Sequence, residues 1–82
     1  MPLALREGGF QVRIYLNDHP PAHVHVFKGA GEAHIALEPV RIDKVWSMKP
    51  ADVRRAKALV TRHRTTLLDK WKELHGRPNV QS

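Results

Sequence analysis

Three histidines and one aspartate lie within the eight residues from Asp18 to His25. Imidazole and carboxylate groups supply much of the acid–base and metal-binding chemistry of proteins. His23 is two residues from His25, so on a β-strand both side chains project from the same face of the sheet. His34 can join them if the next strand pairs in a suitable register. The spacing therefore predicts a histidine-rich site on one face of a sheet.

One chemistry that suits these residues is metal-independent cleavage of RNA. Such cleavage needs a base for the 2′-hydroxyl proton, an acid for the leaving oxygen and a cation for the phosphate. An aromatic ring can in addition stack on a base. The catalytic candidates of this hypothesis are His19, His23, His25 and His34 as acids and bases, Arg13 as phosphate clamp and Tyr15 as stacking residue. No cofactor is needed for this reaction.

A second chemistry is the binding of a divalent metal such as zinc, which accepts imidazole nitrogen and carboxylate oxygen. The candidate ligands are Asp18, His19, His23 and His25. A third interpretation assigns these residues no chemistry: Asp18 and His19 cap the turn before the prolines, and His23 and His25 form hydrogen bonds between strands. The sequence alone leaves all three open.

The elements that must position these residues are short strands in the first half of the chain. Alternating apolar and polar residues predict strands at residues 10–16, 23–28 and 32–38, with a weaker candidate at residues 40–45. Pro20 and Pro21 interrupt regular pairing, and Gly29 to Gly31 predicts a hairpin turn.

The second half predicts one amphipathic helix from about Pro50 to His75, ended by Gly76. The predicted fold is therefore α+β, with a three- or four-stranded, mainly antiparallel sheet followed by one long amphipathic C-terminal helix. We expect a single domain at residues 1–76 and a flexible tail at residues 77–82. One helix covers one face of the sheet, so the histidine face is expected to be open or buried by a partner.

The chain has 82 residues, a net charge of +6 and no cysteine, which excludes disulfides and thiol chemistry. Residues 1–48 hold five basic and five acidic residues, whereas residues 49–82 hold nine and three. The excess charge in the helical half favours an anionic partner such as RNA or DNA, although a solvated charged face is the alternative. The candidate nucleic-acid-binding residues are Arg54, Arg55, Lys57, Arg62 and Arg64.

The sequence predicts no contact with a membrane. No apolar run approaches the roughly 18 residues that a membrane helix needs. The first residues lack the pattern of a secretory signal. Because small secreted folds usually contain disulfides, we expect a cytoplasmic protein.

Several segments resemble the bacterial family called domain of unknown function 4160, over about residues 1–76. They are Gly8-Gly9-Phe10, the segment from Asn17 to Pro21 with His23-Val24-His25-Val26, Gly31-Glu32-Ala33, Leu37-Glu38-Pro39-Val40, and the helix that ends in Leu68 to Trp71. That family consists of small stand-alone proteins, often encoded beside a second small protein in an arrangement that resembles a toxin–antitoxin pair. The resemblance implies a small cognate protein from a neighbouring gene as partner, and it supplies no catalytic residues.

Together, the residues and the resemblance favour a component of a toxin–antitoxin-like module. It would bind a small cognate protein and RNA or DNA, and its enzymatic version would be a ribonuclease. The alternative is a histidine-cluster metal-binding module, or an interaction module without catalysis that forms a homodimer.

Overall fold

A computed structural model describes residues 3–16 and 18–75 of the chain. Within that part, the elements are β1 (Leu3–Glu7), β2 (Phe10–Arg13), β3 (His23–Lys28), β4 (Gly31–Leu37), β5 (Val40–Trp46), α1 (Pro50–Arg62) and α2 (Arg64–His75). The strands form one antiparallel sheet in the order β1-β2-β3-β4-β5, so each strand lies beside its neighbour in sequence. The predicted α+β class is confirmed.

The sheet has five strands where three or four were predicted. The strand that was missed is β1, because Leu3-Ala4-Leu5-Arg6-Glu7 contains good helix formers and no β-branched or aromatic residue. Its pairing with β2 depends on a turn at Gly8 and Gly9, whose φ angles of 57° and 84° are readily adopted by glycine. The weaker candidate strand is present as β5, at the edge of the sheet.

Two helices replace the single long helix that the periodicity predicted. The break falls at His63, whose ψ of 18° departs from the helical value. Both side chains at the break reach the sheet: His63 Nε2 donates to Glu7 Oε1 at 2.9 Å, and Arg64 Nε donates to the backbone carbonyl of Leu37 at 2.7 Å. No proline or glycine marks this position, so the break follows tertiary contacts that the local sequence does not reveal.

The hydrophobic core lies between the helices and one face of the sheet. The core residues from the strands include Phe10, Val12, Val24, Val26, Ala33, Ile35 and Leu37, and those from the helices include Ala56, Leu59, Val60, Leu67, Leu68 and Trp71. Because side chains alternate along a strand, the intervening residues project from the opposite face. That opposite face, which we call the open face, carries Arg13 of β2, His23 and His25 of β3, and His34 of β4.

In the part of the chain that the structure describes, no helix is both long enough and apolar enough to cross a membrane. The predicted helix end at Gly76 and the predicted tail at residues 77–82 lie outside the described residues. The single domain at residues 1–76 stays a prediction.

Candidate functional site

The β3–β4 hairpin sets two of the candidate histidines side by side. His25 pairs with His34 across these strands, and on its other side His25 pairs with Arg13 of β2. Directly opposite residues of antiparallel strands project from the same face, so these three side chains form a row across the open face. The ring centroids of His25 and His34 are 4.1 Å apart in an edge-to-face arrangement. The register of the hairpin thus brings His34 into the cluster.

Asp18, in the loop between β2 and β3, contacts two histidines at once. Its Oδ2 lies 2.8 Å from Nε2 of His25 and 3.1 Å from Nε2 of His23. These three atoms of ligand type lie within 4.8 Å of one another. Ligands of a tetrahedral ion with bonds of about 2.0 Å are separated by about 3.3 Å. The group Asp18, His23 and His25 therefore has the donor set and approximate spacing of a metal site.

A backbone carbonyl determines which nitrogen of His23 faces Asp18. Nδ1 of His23 lies 3.0 Å from the carbonyl oxygen of Pro21. Because a carbonyl oxygen only accepts, Nδ1 carries the hydrogen and Nε2 of the neutral ring carries the lone pair. Metal-ligating histidines commonly donate their other N–H to such a carbonyl. The orientation of His23, and the tautomer of its neutral ring, are thus those that a metal ligand needs.

A second carboxylate, Glu32 of β4, lies on the other side of His25. Glu32 Oε2 accepts a hydrogen bond from His34 Nε2 at 2.8 Å and lies 3.6 Å from Nδ1 of His25. His25 is only 8% exposed, and its buried Nδ1 has no hydrogen-bond partner among the described residues. The atoms of His25, Glu32 and His34 form a second group that fits within 4.8 Å. Sequence reasoning missed Glu32, although its position two residues before His34 placed it on the same face.

Helix α2 packs against one end of the cluster. The ring of Trp71 lies 5.3 Å from the ring of His23 and stacks on His75 with centroids 3.8 Å apart. Nε2 of His75 lies 2.8 Å from the backbone carbonyl of Tyr15. Trp71 is 6% exposed. Packing of Trp71 from α2 therefore helps to hold the candidate ligand His23 in place.

Arg13 and Tyr15 adjoin the histidines and also line a separate hollow. Tyr15 packs edge-on against His25 with ring centroids 4.2 Å apart. Burial, and next the negative charge of Glu32, raises the pKa of Tyr15. Arg13 donates to Gln11 Oε1 at 2.7 Å. The hollow has a volume of about 410 Å³ and is lined by Gly9, Gln11, Arg13, Tyr15, Phe27 and Gly29. None of the described histidines lines it.

His19 stands apart from both groups of ligand atoms. It is exposed, and neither group of three in the described residues includes it. His19 is the only histidine of the segment from Asp18 to His25 that neither group includes. Its closeness in sequence to His23 therefore does not bring it to the cluster.

The five cations predicted to bind nucleic acid fall into two sets. The paired set is Arg55 with Asp52, Arg62 with Glu7, and Arg64 with Glu38. Arg54 and Lys57 of α1 are exposed, have no ion-pair partner among the described residues, and line a shallow surface hollow. Only these two remain available for phosphate contacts without breaking an existing pair.

Two acidic partners of the paired set, Glu7 and Asp52, have lowered pKa values. The hydrogen bond from His63, supported by Arg62, lowers the pKa of Glu7. Burial acts to raise the pKa of Asp52, but hydrogen bonds from Lys28 and Arg55 outweigh burial and leave that pKa lowered. Both carboxylates are therefore charged near neutral pH. Glu7 pairs with Arg62 across elements, and Asp52 pairs with Arg55 on the same helix.

Comparisons with known proteins show the family. No curated protein and no solved structure matches the chain. The family model described as Domain of unknown function (DUF4160) matches residues 9–72, which include both groups of ligand atoms. Since this match spans well over half of the 82 residues, the chain belongs to the DUF4160 family.

Proposed function

We propose that this chain is a metal-binding module whose primary site consists of Asp18, His23 and His25. The observation that carries the proposal is the convergence of two Nε2 atoms on one oxygen of Asp18, at 2.8 and 3.1 Å. Imidazole nitrogen and carboxylate oxygen together suit divalent ions such as Zn²⁺, Ni²⁺ or Fe²⁺. Nδ1 of His23 donates to the carbonyl of Pro21, and this hydrogen bond orients Nε2 of the ring towards Asp18, as in metal-ligating histidines.

The donor set is also typical of an open metal site, in which one coordination position is left for water or substrate. Zinc sites with two histidines and one carboxylate usually keep a further position for water or substrate, whereas structural sites are closed by four protein ligands. A dication lowers the pKa of such a water and makes it a nucleophile. Arg13 lies opposite His25 in the sheet, so an anionic substrate such as a phosphoester is the class that this surface would attract.

The proposal is tested by zinc titration of the untagged 82-residue chain after removal of metal by a chelator. We expect calorimetry to show binding, and Asp18→Asn to weaken the primary site by well over the roughly 10–100-fold typical of losing an outer-sphere contact. His19→Gln is the matched control, because this neighbouring histidine belongs to neither ligand group, and it should keep the wild-type affinity. An Asp18→Asn variant with unchanged affinity at every site would overturn the proposal.

The toxin–antitoxin-like role, the small cognate protein and the metal-independent ribonuclease stay proposals beside this one. One observation favours contact with nucleic acid: Arg54 and Lys57 are exposed and lack acidic partners among the described residues. RNA incubated with the chain in excess chelator separates the two chemistries. Cleavage that persists there, and that His23→Ala with His25→Ala abolishes, would support the metal-independent reaction. Cleavage that requires added metal would support the metal site.

A further inference from the structure

We infer that a second metal ion binds Nδ1 of His25 together with Glu32 and His34, so that the imidazole of His25 bridges two ions. The inference rests on the proposed primary site, because His25 belongs to both groups. Each ion would then have two imidazole nitrogens and one carboxylate oxygen as protein ligands, and the two sites would take the same class of ion.

The first argument comes from the buried nitrogen. Within the part of the chain that the structure describes, Nδ1 of His25 has no hydrogen-bond partner, although the residue is only 8% exposed. Folded proteins rarely leave a buried polar atom unpaired, and exceptions often mark a functional site or an unseen ion. The 3.6 Å to Glu32 Oε2 is too long for a hydrogen bond. It is close to the roughly 3.3 Å that separates two ligands of one tetrahedral ion.

The second argument comes from the two carboxylates that flank the ring. A neutral imidazole has one N–H and one lone pair. When Nε2 donates to Asp18, Nδ1 presents its lone pair to the carboxylate of Glu32. When Nδ1 carries the hydrogen instead, Nε2 presents its lone pair to Asp18. Neither neutral tautomer suits both neighbours, and a doubly protonated ring would need a hydrogen bond from Nδ1 to Glu32, for which 3.6 Å is too long. A cation at each nitrogen suits both carboxylates.

The third argument is charge balance. Two dications bring four positive charges, and Asp18, Glu32 and a deprotonated His25 imidazole bring three negative ones. In taking up the second ion, His25 releases its remaining ring proton to solvent and forms a nitrogen–metal bond in its place. The residual charge of +1 lies on the open face, beside Arg13, where it would favour an anionic ligand.

Zinc titration by calorimetry tests this inference on the untagged 82-residue chain. We expect two equivalents for the wild type and one for Glu32→Gln or His34→Gln, each with the primary affinity retained. Glu38→Gln is the matched control, since Glu38 is exposed and pairs with Arg64, and it should still bind two. Circular dichroism of each variant confirms that it folds.

Copper tests the bridge itself. Two Cu²⁺ ions joined by an imidazolate couple their unpaired electrons, so the wild type with two equivalents should give less paramagnetic resonance intensity than Glu32→Gln with one. Full double intensity would overturn the bridge. One zinc equivalent in the wild type and in Glu32→Gln would overturn the second ion while leaving the primary site, whereas no binding by either would overturn both proposals.

Discussion

Zinc should raise the melting temperature of the Glu32→Gln variant, in which only the primary site remains, by about 11–22 °C. An ion that binds only the folded chain stabilises it by about 2.7 kcal/mol at a free concentration about 100 times its dissociation constant. A domain of this size melts about 4–8 °C higher for each kcal/mol. The folded chain is required because Asp18 reaches His23 and His25 only through the conformation of the β2–β3 loop.

Adding Asp18→Asn to that variant should remove most of the increase. If affinity falls by at least about 100-fold at the same zinc concentration, the stabilisation falls to at most about 0.4 kcal/mol, or roughly 2–3 °C. The metal-free double variant should itself be less stable by about 1–2 kcal/mol, because the asparagine side chain has one acceptor oxygen and no charge. The zinc-induced difference, rather than the absolute melting temperature, therefore reports on the ligand.

The assay is thermal unfolding followed by circular dichroism, with and without zinc, and with chelator to show reversal. His19→Gln in the same background keeps both histidines of the primary site and should melt about 11–22 °C higher with zinc. A zinc-induced increase that survives Asp18→Asn, or that disappears in His19→Gln, would refute the ligand assignment. In either case the bound ion would have to lie elsewhere on the chain.

Three further changes test the fold and the charged surfaces. In Gly31→Ala the new Cβ would lie 2.7 Å from a backbone oxygen of the β5–α1 loop, so urea unfolding should show a loss of about 1–3 kcal/mol. Because the hydrogen bond from His63 lowers the pKa of Glu7 below 4.5, the charged form stabilises the fold above pH 4.5, and this stabilisation is lost as the pH falls through the folded pKa. Urea unfolding from pH 7 to pH 3 should therefore show Glu7→Gln less stable at pH 7 and the difference shrinking at low pH; a constant difference would contradict this. For single-stranded RNA, the double change Arg54→Gln and Lys57→Gln should reduce the slope of log affinity against log salt by about 1.4; an unchanged slope would leave these cations as a solvated face.

The strands were predictable where alternation and turn residues agree. The β3–β4 hairpin combines alternating residues with the turn at Gly29 to Gly31, and both features act locally. β1 was not predictable, because its residues favour a helix in isolation and its strand form depends on pairing with β2 across the Gly8–Gly9 turn. The helix break was not predictable either, because His63 contacts Glu7, which lies 56 residues earlier in the sequence.

The candidate site shows the same division between local and long-range information. The two-residue spacing of His23 and His25 was enough to place both on one face. Asp18 could be named as a ligand by its position, but its contact with both rings depends on the conformation of a loop. The contribution of Glu32 depends on the pairing of His25 with His34. A shift of that register by one residue would turn Glu32 and His34 away from His25.

The two surfaces considered for function lie on opposite sides of the sheet. α1 packs its buried residues against the core face, so Arg54 and Lys57 point to solvent beyond it. His25 projects from the open face, and Asp18 contacts it from the β2–β3 loop. A nucleic acid bound along α1 cannot reach the ligand cluster without passing around an edge of the sheet. Substitutions on one surface should therefore change either zinc binding or the salt-dependent binding of nucleic acid, and leave the other unchanged. Changing Arg54 and Lys57 should leave zinc stoichiometry intact, and if both activities were lost together, a second copy of the chain would have to join the two surfaces.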